Sequence, residues 1–213
     1  MFEHPSHRTH LTGERPSSIA IVGLGPSQTD FHRLLTQHEP PALWDEVWSI
    51  NTGLRYTPAD VCWVMDDLRE YGERFPDYGR AIRECGRPVI TNTAYPEYPG
   101  ALAYPLAEVL ACCPGMHRCF YHNSVPYLLA YALWLGSVRR VYLFGIDYSY
   151  PDMDAREQGR EVCAVWMGYL RGRGIEVNVT DGSTMLQAHK VNDPLWRPFY
   201  GYLRQPAVAG VTR

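Results

Sequence analysis

Carboxylate side chains stand within two residues after two of the apolar segments of this chain. Asp66 and Asp67 follow the segment at residues 61–65, and Asp147 follows the segment at residues 140–145. Paired carboxylates in such a place can hold Mg²⁺ on a diphosphate or take up a proton as a general base. Asp67 can equally cap a helix that begins there, which would leave Asp66 alone in a cleft. Both interpretations stay open on the sequence.

A glycine-rich loop follows the first apolar segment and reads Gly23-Leu24-Gly25-Pro26-Ser27. Glycines at its first and third positions permit a tight turn, and a helix is predicted to begin near Ser27, whose side chain can cap it. The start of that helix would direct amide groups and a positive dipole at a phosphate. The third glycine of a dinucleotide fingerprint is absent, because Gln28 stands in its place. The loop predicts nucleotide or phosphate binding, with a simple strand-to-helix turn as the alternative.

Amide and hydroxyl side chains complete the set of candidates. Asn51 ends the second apolar segment, where dinucleotide enzymes place an acidic residue on the ribose hydroxyls, and an amide can do the same work without charge. It can equally cap a turn with Thr52 and Gly53. Asn123 and Ser124 stand just before an apolar helix, where they too can face a ligand.

The apolar segments alternate with amphipathic ones. We predict strands at residues 18–23, 46–50, 61–65, 87–91, 140–145 and 174–179, and a further short strand at 117–121. We predict helices from Ser27 and at residues 67–84, 125–135 and 156–171, and an irregular wall at 92–105. This order predicts an α/β fold, a Rossmann-like, doubly wound and mostly parallel sheet with helices on both faces. Ligands of such sheets bind outside the carboxyl ends of the strands, where the polar candidates stand.

Length and composition limit the classes of function. We expect the 213 residues to form a disordered tail at 1–17 and a single nucleotide-binding α/β domain at 18–213. The net charge of −3 does not favour a nucleic-acid partner. We find no membrane-spanning run and no signal-peptide core, and therefore expect a cytoplasmic protein. The abundant aromatic residues and the proline-rich wall suggest a homo-oligomer that completes its cleft with a neighbour.

Two segments together resemble a known superfamily. Residues 21–27, with Gly23-Leu24-Gly25-Pro26-Ser27, resemble its G-x-G-P-S loop, and residues 123–148 look like its "(T/N)S…A…A…LG…IYLxGxD(F/Y)" block. The superfamily includes bacterial family-42 sialyltransferases, the motility accessory factor glycosyltransferases of flagellin modification, and archaeal-type 6-hydroxymethylpterin diphosphokinases. The resemblance implies a Rossmann-like fold that holds a nucleotide-activated donor, linked to CMP, UDP or GDP, between the two blocks.

The resemblance also implies roles for particular residues. It places the nucleotide against Gly25, Pro26, Ser27, Asn51 and Ser124, with Asp147 at the far side and the nearby tyrosines, Tyr148 and Tyr150, at the phosphate. Gly23 and Asn123 adjoin this set, and Arg160, near a helix start, can neutralise phosphate. Sialyltransferases carry Asn in place of Leu24 and a catalytic His in the segment after Asp147, whereas residues 148–160 contain no His. We therefore take as catalytic candidates Asp66, Asp147, Asp152 and His189.

Three functions remain open. The first is a group transferase, a glycosyltransferase with a nucleotide-activated donor. The second is a Mg²⁺-dependent diphosphokinase or nucleotidyl transferase that acts on a small heterocycle, with Asp66 and Asp67 at the metal. The third is a non-catalytic nucleotide-binding protein that keeps only the fold.

Overall fold

A computed structural model of the chain describes residues 10–38, 43–149 and 153–186. Its strands are β1 (Ser18–Val22), β2 (Glu46–Ile50), β3 (Val61–Val64), β4 (Val89–Thr91), β5 (Ala101–Ala103), β6 (Arg140–Phe144) and β7 (Glu176–Val179). Its α-helices are α1 (Gln28–Gln37), α2 (Leu68–Arg74), α3 (Pro76–Glu84), α4 (Leu106–Ala111), α5 (Ser124–Leu135) and α6 (Met153–Gly172). The strands form one parallel sheet in the order β5-β4-β3-β2-β1-β6-β7. The predicted Rossmann-like α/β fold is confirmed.

The central strands are buried on both faces of the sheet. Every residue of β1 is buried, and alternate side chains point to opposite sides. Ile19 and Ile21 join the apolar cluster that includes residues of α5 and α6, whereas Ala20 and Val22 join the cluster around Phe31 of α1. This double burial explains why the strands read as continuous apolar runs rather than as alternating patterns.

The strand order reverses between β1 and β6. From β1 the chain adds β2 to β5 on one side, and it then returns to add β6 and β7 on the other. The last residues of β1 and β6, Val22 and Phe144, are paired across the sheet. The loops that follow these two strands therefore leave the sheet side by side, at the topological switch point where ligands of such folds bind.

Some of the predicted elements are wrong in detail. The helix predicted at 67–84 is two helices, because Pro76 disfavours a helical conformation at Phe75, which has φ −132° and ψ 76°. The short strand predicted at 117–121 is a 3₁₀ helix at Arg118–Phe120, started by the His117 side chain, which accepts a hydrogen bond from the Cys119 amide at 3.2 Å. The wall predicted as irregular at 92–105 contains β5.

The prediction of a disordered tail is wrong for its last part, from His10 onward. Residues 1–9 lie outside the described residues, but His10 is anchored, with its side chain only 3% exposed. Its Nδ1 lies 2.8 Å from Glu46 Oε2 and its Nε2 lies 3.1 Å from the Tyr131 hydroxyl. The buried Glu46 carboxylate also accepts a hydrogen bond from Trp48 Nε1 at 2.7 Å. A buried carboxylate needs such donors, which is why this segment is fixed to the sheet.

No helix among the described residues has the length and apolar character to cross a membrane.

Candidate active site

A cleft of about 740 Å³ opens at the switch point. Its walls are the loops after β1, β2, β3 and β6, together with the start of α5 and residues of α2 and α3. The predicted site residues that line it are Gly23, Gly25, Pro26, Asn51, Asp66, Asn123, Ser124, Asp147 and Tyr148. The structure thus brings together residues from five separate parts of the chain, as the strand-end argument predicts.

The loop after β1 packs directly against the loop after β6. The Gly25 amide donates to the Gly145 carbonyl at 2.8 Å. A methyl group added at Gly23 would lie 2.6 Å from the Gly145 carbonyl oxygen, and one at Gly25 would lie 2.8 Å from Asp147 Cγ. Gly145 itself has φ 65°, a conformation that favours glycine. The glycines therefore serve close contact between two loops of the protein, in addition to the tight turn that was expected of them.

The Asp147 carboxylate occupies the place at the start of α1 where we expected a phosphate. The Ser27 amide donates to Asp147 Oδ2 at 2.8 Å, and the Thr184 amide donates to Oδ1 at 3.3 Å. The Ser27 hydroxyl accepts a hydrogen bond from the Gly145 amide at 3.0 Å and does not cap α1. Ser27 is buried and lies outside the cleft lining. The predicted contact of Ser27 with nucleotide is corrected, because both of its polar groups bind the loop after β6.

Asn123 offers an unused hydrogen-bond donor at the cleft wall. Its Oδ1 accepts from the Val125 amide at 3.2 Å, which caps α5, and from the Tyr148 hydroxyl at 3.1 Å. These two donors fix the orientation of the side-chain amide. Its Nδ2 is buried without a hydrogen-bond partner in the described chain. Tyr148, which the resemblance places at the phosphate, lines the cleft and orients Asn123.

Asn51 carries a second unused polar atom, together with an unusual backbone. Its Oδ1 is buried with no hydrogen-bond partner among the described residues, so its side chain does not cap the turn. Its φ is 51°, and Tyr148, with φ 47°, is the other non-glycine residue of positive φ in residues 10–38, 43–149 and 153–186. Both line the cleft. Backbone conformations of this kind concentrate at functional sites.

The two neighbouring carboxylates have separate surroundings. Asp67 caps α2 by accepting from the Arg69 amide at 3.0 Å, and its Oδ2 lies 2.8 Å from the Arg69 guanidinium. Arg69 lowers the pKa of Asp67 to about 2. Asp66 lines the cleft, has no hydrogen bond or ion pair to another described residue, and has its pKa raised by burial. The interpretation in which Asp67 caps the helix and only Asp66 faces the cleft is confirmed. Both oxygens of Asp67 accept hydrogen bonds from Arg69, and the metal role of Asp67 stays a prediction.

Aromatic residues of α2 and α3 form a part of the cleft that the sequence analysis missed. Tyr71, Phe75 and Tyr78 all line it. Tyr78 is buried, its pKa is raised by burial and by the neighbouring Asp66 carboxylate, and its hydroxyl has no partner among the described residues. These rings stand 5, 9 and 12 residues after Asp66, and that position was a usable signal, since α2 begins at the binding edge of the sheet.

The remaining predicted residues do not reach the cleft or cannot be placed. Tyr150, Asp152 and His189 lie outside the described residues. Arg160 lies on α6, outside the cleft lining, and its Nε is buried without a hydrogen-bond partner in the part of the chain that the structure describes. No lysine or arginine is among the described residues that line the cleft.

Comparison with known proteins adds no relative. No protein-family model matches the chain, and no curated protein matches its sequence. The resemblance to the superfamily that includes the family-42 sialyltransferases therefore stays a prediction.

Proposed function

We propose that the protein is a group transferase that binds a nucleotide-activated donor in the switch-point cleft, with a sugar as the transferred group. The observation that supports this most is a convergence of unused polar groups. Two amide side chains, Asn51 and Asn123, each keep a buried atom without a partner in the described chain, and the Asp66 carboxylate lies in the same cleft without one. A buried polar group without a partner costs about 1–3 kcal/mol, so the two buried amide atoms in one cleft favour a ligand that satisfies them.

The two amides suit the nucleoside part of the donor. Asn51 Oδ1 is an acceptor for a ribose hydroxyl or an exocyclic amine, and Asn123 Nδ2 is a donor for a carbonyl or phosphate oxygen. The start of α1 already holds the Asp147 carboxylate. The phosphate therefore lies at the start of α5, where Ser124 offers a hydroxyl and the helix dipole favours negative charge.

Asp66 suits the role of general base. Its carboxylate takes the proton from an acceptor hydroxyl as that oxygen forms a bond to the transferred carbon. The bond from that carbon to the donor phosphate breaks, and the phosphate leaves with the electron pair. A carboxylate whose pKa is raised by burial is a better base near neutral pH than an ordinary one, and no salt bridge to a described residue competes for it. In this proposal Asp147 joins the loop after β6 to the loop after β1 through its hydrogen bond from the Ser27 amide, and it transfers no proton.

The Mg²⁺-dependent diphosphokinase or nucleotidyl transferase has less support. Its prediction rested on two convergent carboxylates, and Asp67 is engaged by Arg69 and by the cap of α2. Among the described residues no group of three or more His, Cys, Asp or Glu side chains could hold a metal ion. Under this alternative the nucleotide would have to supply most of the Mg²⁺ ligands together with Asp66.

A ligand screen tests the proposal. Melting temperatures are measured with CMP-, UDP- and GDP-sugars and with ATP, each in Mg²⁺ and in EDTA. We expect one nucleotide class to stabilise the protein by about 2.7 kcal/mol at a hundred times its Kd, in EDTA as well as in Mg²⁺. The Asn123→Ala variant should lose most of this shift. A response confined to Mg²⁺ would favour the diphosphokinase, and no response to any nucleotide would refute both enzymes.

The catalytic assignment needs a second measurement. The Asp66→Asn variant should keep the nucleotide-induced shift, because the base does not hold the nucleotide. Its rate of transfer to an acceptor, or of donor hydrolysis, should fall by roughly 10²–10⁴. Turnover that survives in Asp66→Asn would show that another group takes the proton.

A further inference from the structure

Two aromatic side chains, one in α2 and one directly after its end, are exposed within the cleft. Tyr71 is 36% exposed and Phe75 is 47% exposed, although both line a concave site. They stand one helical turn apart, with ring centroids separated by 5.9 Å and ring planes inclined by 38°. The two rings together form one continuous apolar surface, which we call the aromatic wall.

The core of the protein does not need these rings. The apolar cluster beneath α2 and α3 includes Leu68, Tyr78 and Ile82, and neither Tyr71 nor Phe75 belongs to it. Leu24, in the loop after β1, is 44% exposed and lines the same cleft. Exposed apolar side chains cost hydrophobic free energy, and a group of them in a concave site is typical of a ligand-binding surface.

The two residues of the aromatic wall follow Asp66, the group that we propose as the base, by five and nine residues in the chain. Asp66 precedes the first residue of α2 by only two positions, and it faces the cleft without a partner among the described residues. The amides proposed to hold the nucleotide come from elsewhere, Asn51 after β2 and Asn123 before α5. The cleft therefore takes its amides from the end of β2 and the start of α5, and its exposed rings from the part of the chain that follows Asp66.

On the basis of the proposed function, we infer that the aromatic wall binds the acceptor, and that the acceptor is a hydroxyl compound with a planar aromatic or heteroaromatic ring. Two inclined rings accept a third ring by offset or edge-to-face contact. A bare sugar would bring several hydroxyl groups that each need a partner. The wall offers the carbon surface of two rings and the Tyr71 hydroxyl, and the guanidinium carbon of Arg74 lies 5.3 Å from the Phe75 ring centroid. A planar ring with one hydroxyl satisfies this arrangement and presents its oxygen to Asp66.

A matched pair of probes tests the chemistry of the site. Benzyl alcohol and cyclohexylmethanol carry the same hydroxyl group, but only the first has a planar ring. Their affinities for the full chain are measured by saturation-transfer NMR, with and without a nucleotide that the melting screen identifies. We expect benzyl alcohol to bind at least threefold more tightly, and we expect bound nucleotide to leave this binding in place. Equal binding of the two probes would overturn the inference that the ring must be planar.

Variants locate the binding on the wall. Tyr71→Ala and Phe75→Ala should each weaken benzyl alcohol binding by roughly two- to twelvefold, the range expected for loss of one aromatic contact. Both rings are exposed, so both variants should melt close to wild type. Tyr56→Ala is the matched control, because Tyr56 is 50% exposed but lies outside the cleft lining. Unchanged binding in both wall variants would overturn the inference.

The outcomes separate this inference from the proposed function. If nucleotide displaces benzyl alcohol, the wall holds the nucleobase of the donor, and the acceptor inference is wrong while nucleotide binding stands. If benzyl alcohol binds the wall but no nucleotide binds the protein, the ring site is supported and the proposed function is refuted. If nucleotide binds and benzyl alcohol does not, only the acceptor inference is lost.

Discussion

Substitution of Gly23 by alanine tests whether the glycines of the first loop serve contact between loops. The added methyl group would lie 2.6 Å from the Gly145 carbonyl oxygen, whereas ordinary contact begins near 3.4 Å. This obstacle is backbone and cannot rotate away, so the two loops must separate by close to 0.8 Å, the difference between those two distances. The Gly25 amide, now 2.8 Å from the Gly145 carbonyl, would then lie beyond normal hydrogen-bond distance.

The expected cost follows from these contacts. Overpacking at a rigid position costs about 1–3 kcal/mol, and each hydrogen bond lost adds about 0.5–1.5 kcal/mol. We therefore expect Gly23→Ala to lower the free energy of unfolding by about 2–4 kcal/mol, which for a chain of this length lowers Tm by roughly 4–16 °C. The nucleotide-induced shift should shrink as well, because the displaced loop lines the cleft.

Thermal and urea melts measure this effect against a control that carries the same substitution. Gly168 lies in α6, and a methyl group there meets nothing within 4 Å. Gly168→Ala should raise stability by about 0.5–1 kcal/mol, because alanine favours a helix more than glycine does. A Gly23→Ala variant that melts within about 1 °C of wild type, with its nucleotide response intact, would refute the packing argument.

Two further predictions concern the cleft itself. Burial raises the pKa of Asp66 above 3.8, so the folded protein holds this proton more tightly than the unfolded chain does, and that stabilisation is lost as the pH rises through the folded-state pKa. The melting temperature of Asp66→Asn should therefore be higher than that of wild type at neutral pH, and the two should be equal below about pH 3.8. A lower melting temperature of the variant at neutral pH would contradict this. Tyr148→Phe should weaken nucleotide binding about fivefold, and titrations in an Asn123→Ala background should show no further loss, because the hydroxyl acts through Asn123. An equal loss in both backgrounds would mean that Tyr148 contacts the nucleotide directly.

Local sequence rules were sufficient for most of the sheet. Strands such as β2 at Glu46–Ile50 are short apolar runs ended by polar residues, and their length and burial allow few alternatives. Helix α5 also follows from local signals, with Asn123 as its cap and Gly136 at its end in a left-handed conformation. β5 was missed because it is a three-residue strand at the edge of the sheet, and two of its three residues are exposed.

The membership of the cleft was also largely determined by sequence. In a parallel sheet, residues at the ends of strands must meet at one edge, whatever the details of the helices between them. Asn51, Asp66 and Asp147 were predicted on this basis, and all three line the cleft. The aromatic wall was not predicted, because which side chains of a helix line a cleft depends on how that helix packs against the sheet.

The roles of these residues depended on contacts that no local pattern encodes. Ser27 was predicted to bind nucleotide, yet its amide and hydroxyl bind Asp147 and Gly145, 120 and 118 residues away. His10 was assigned to a tail, yet it binds a carboxylate 36 residues away. Propensity and capping act over a few neighbouring residues, so the sequence by itself determined the strands and the edge at which they end. Which polar groups the protein uses internally, and which remain for a ligand, was decided only when distant segments packed together.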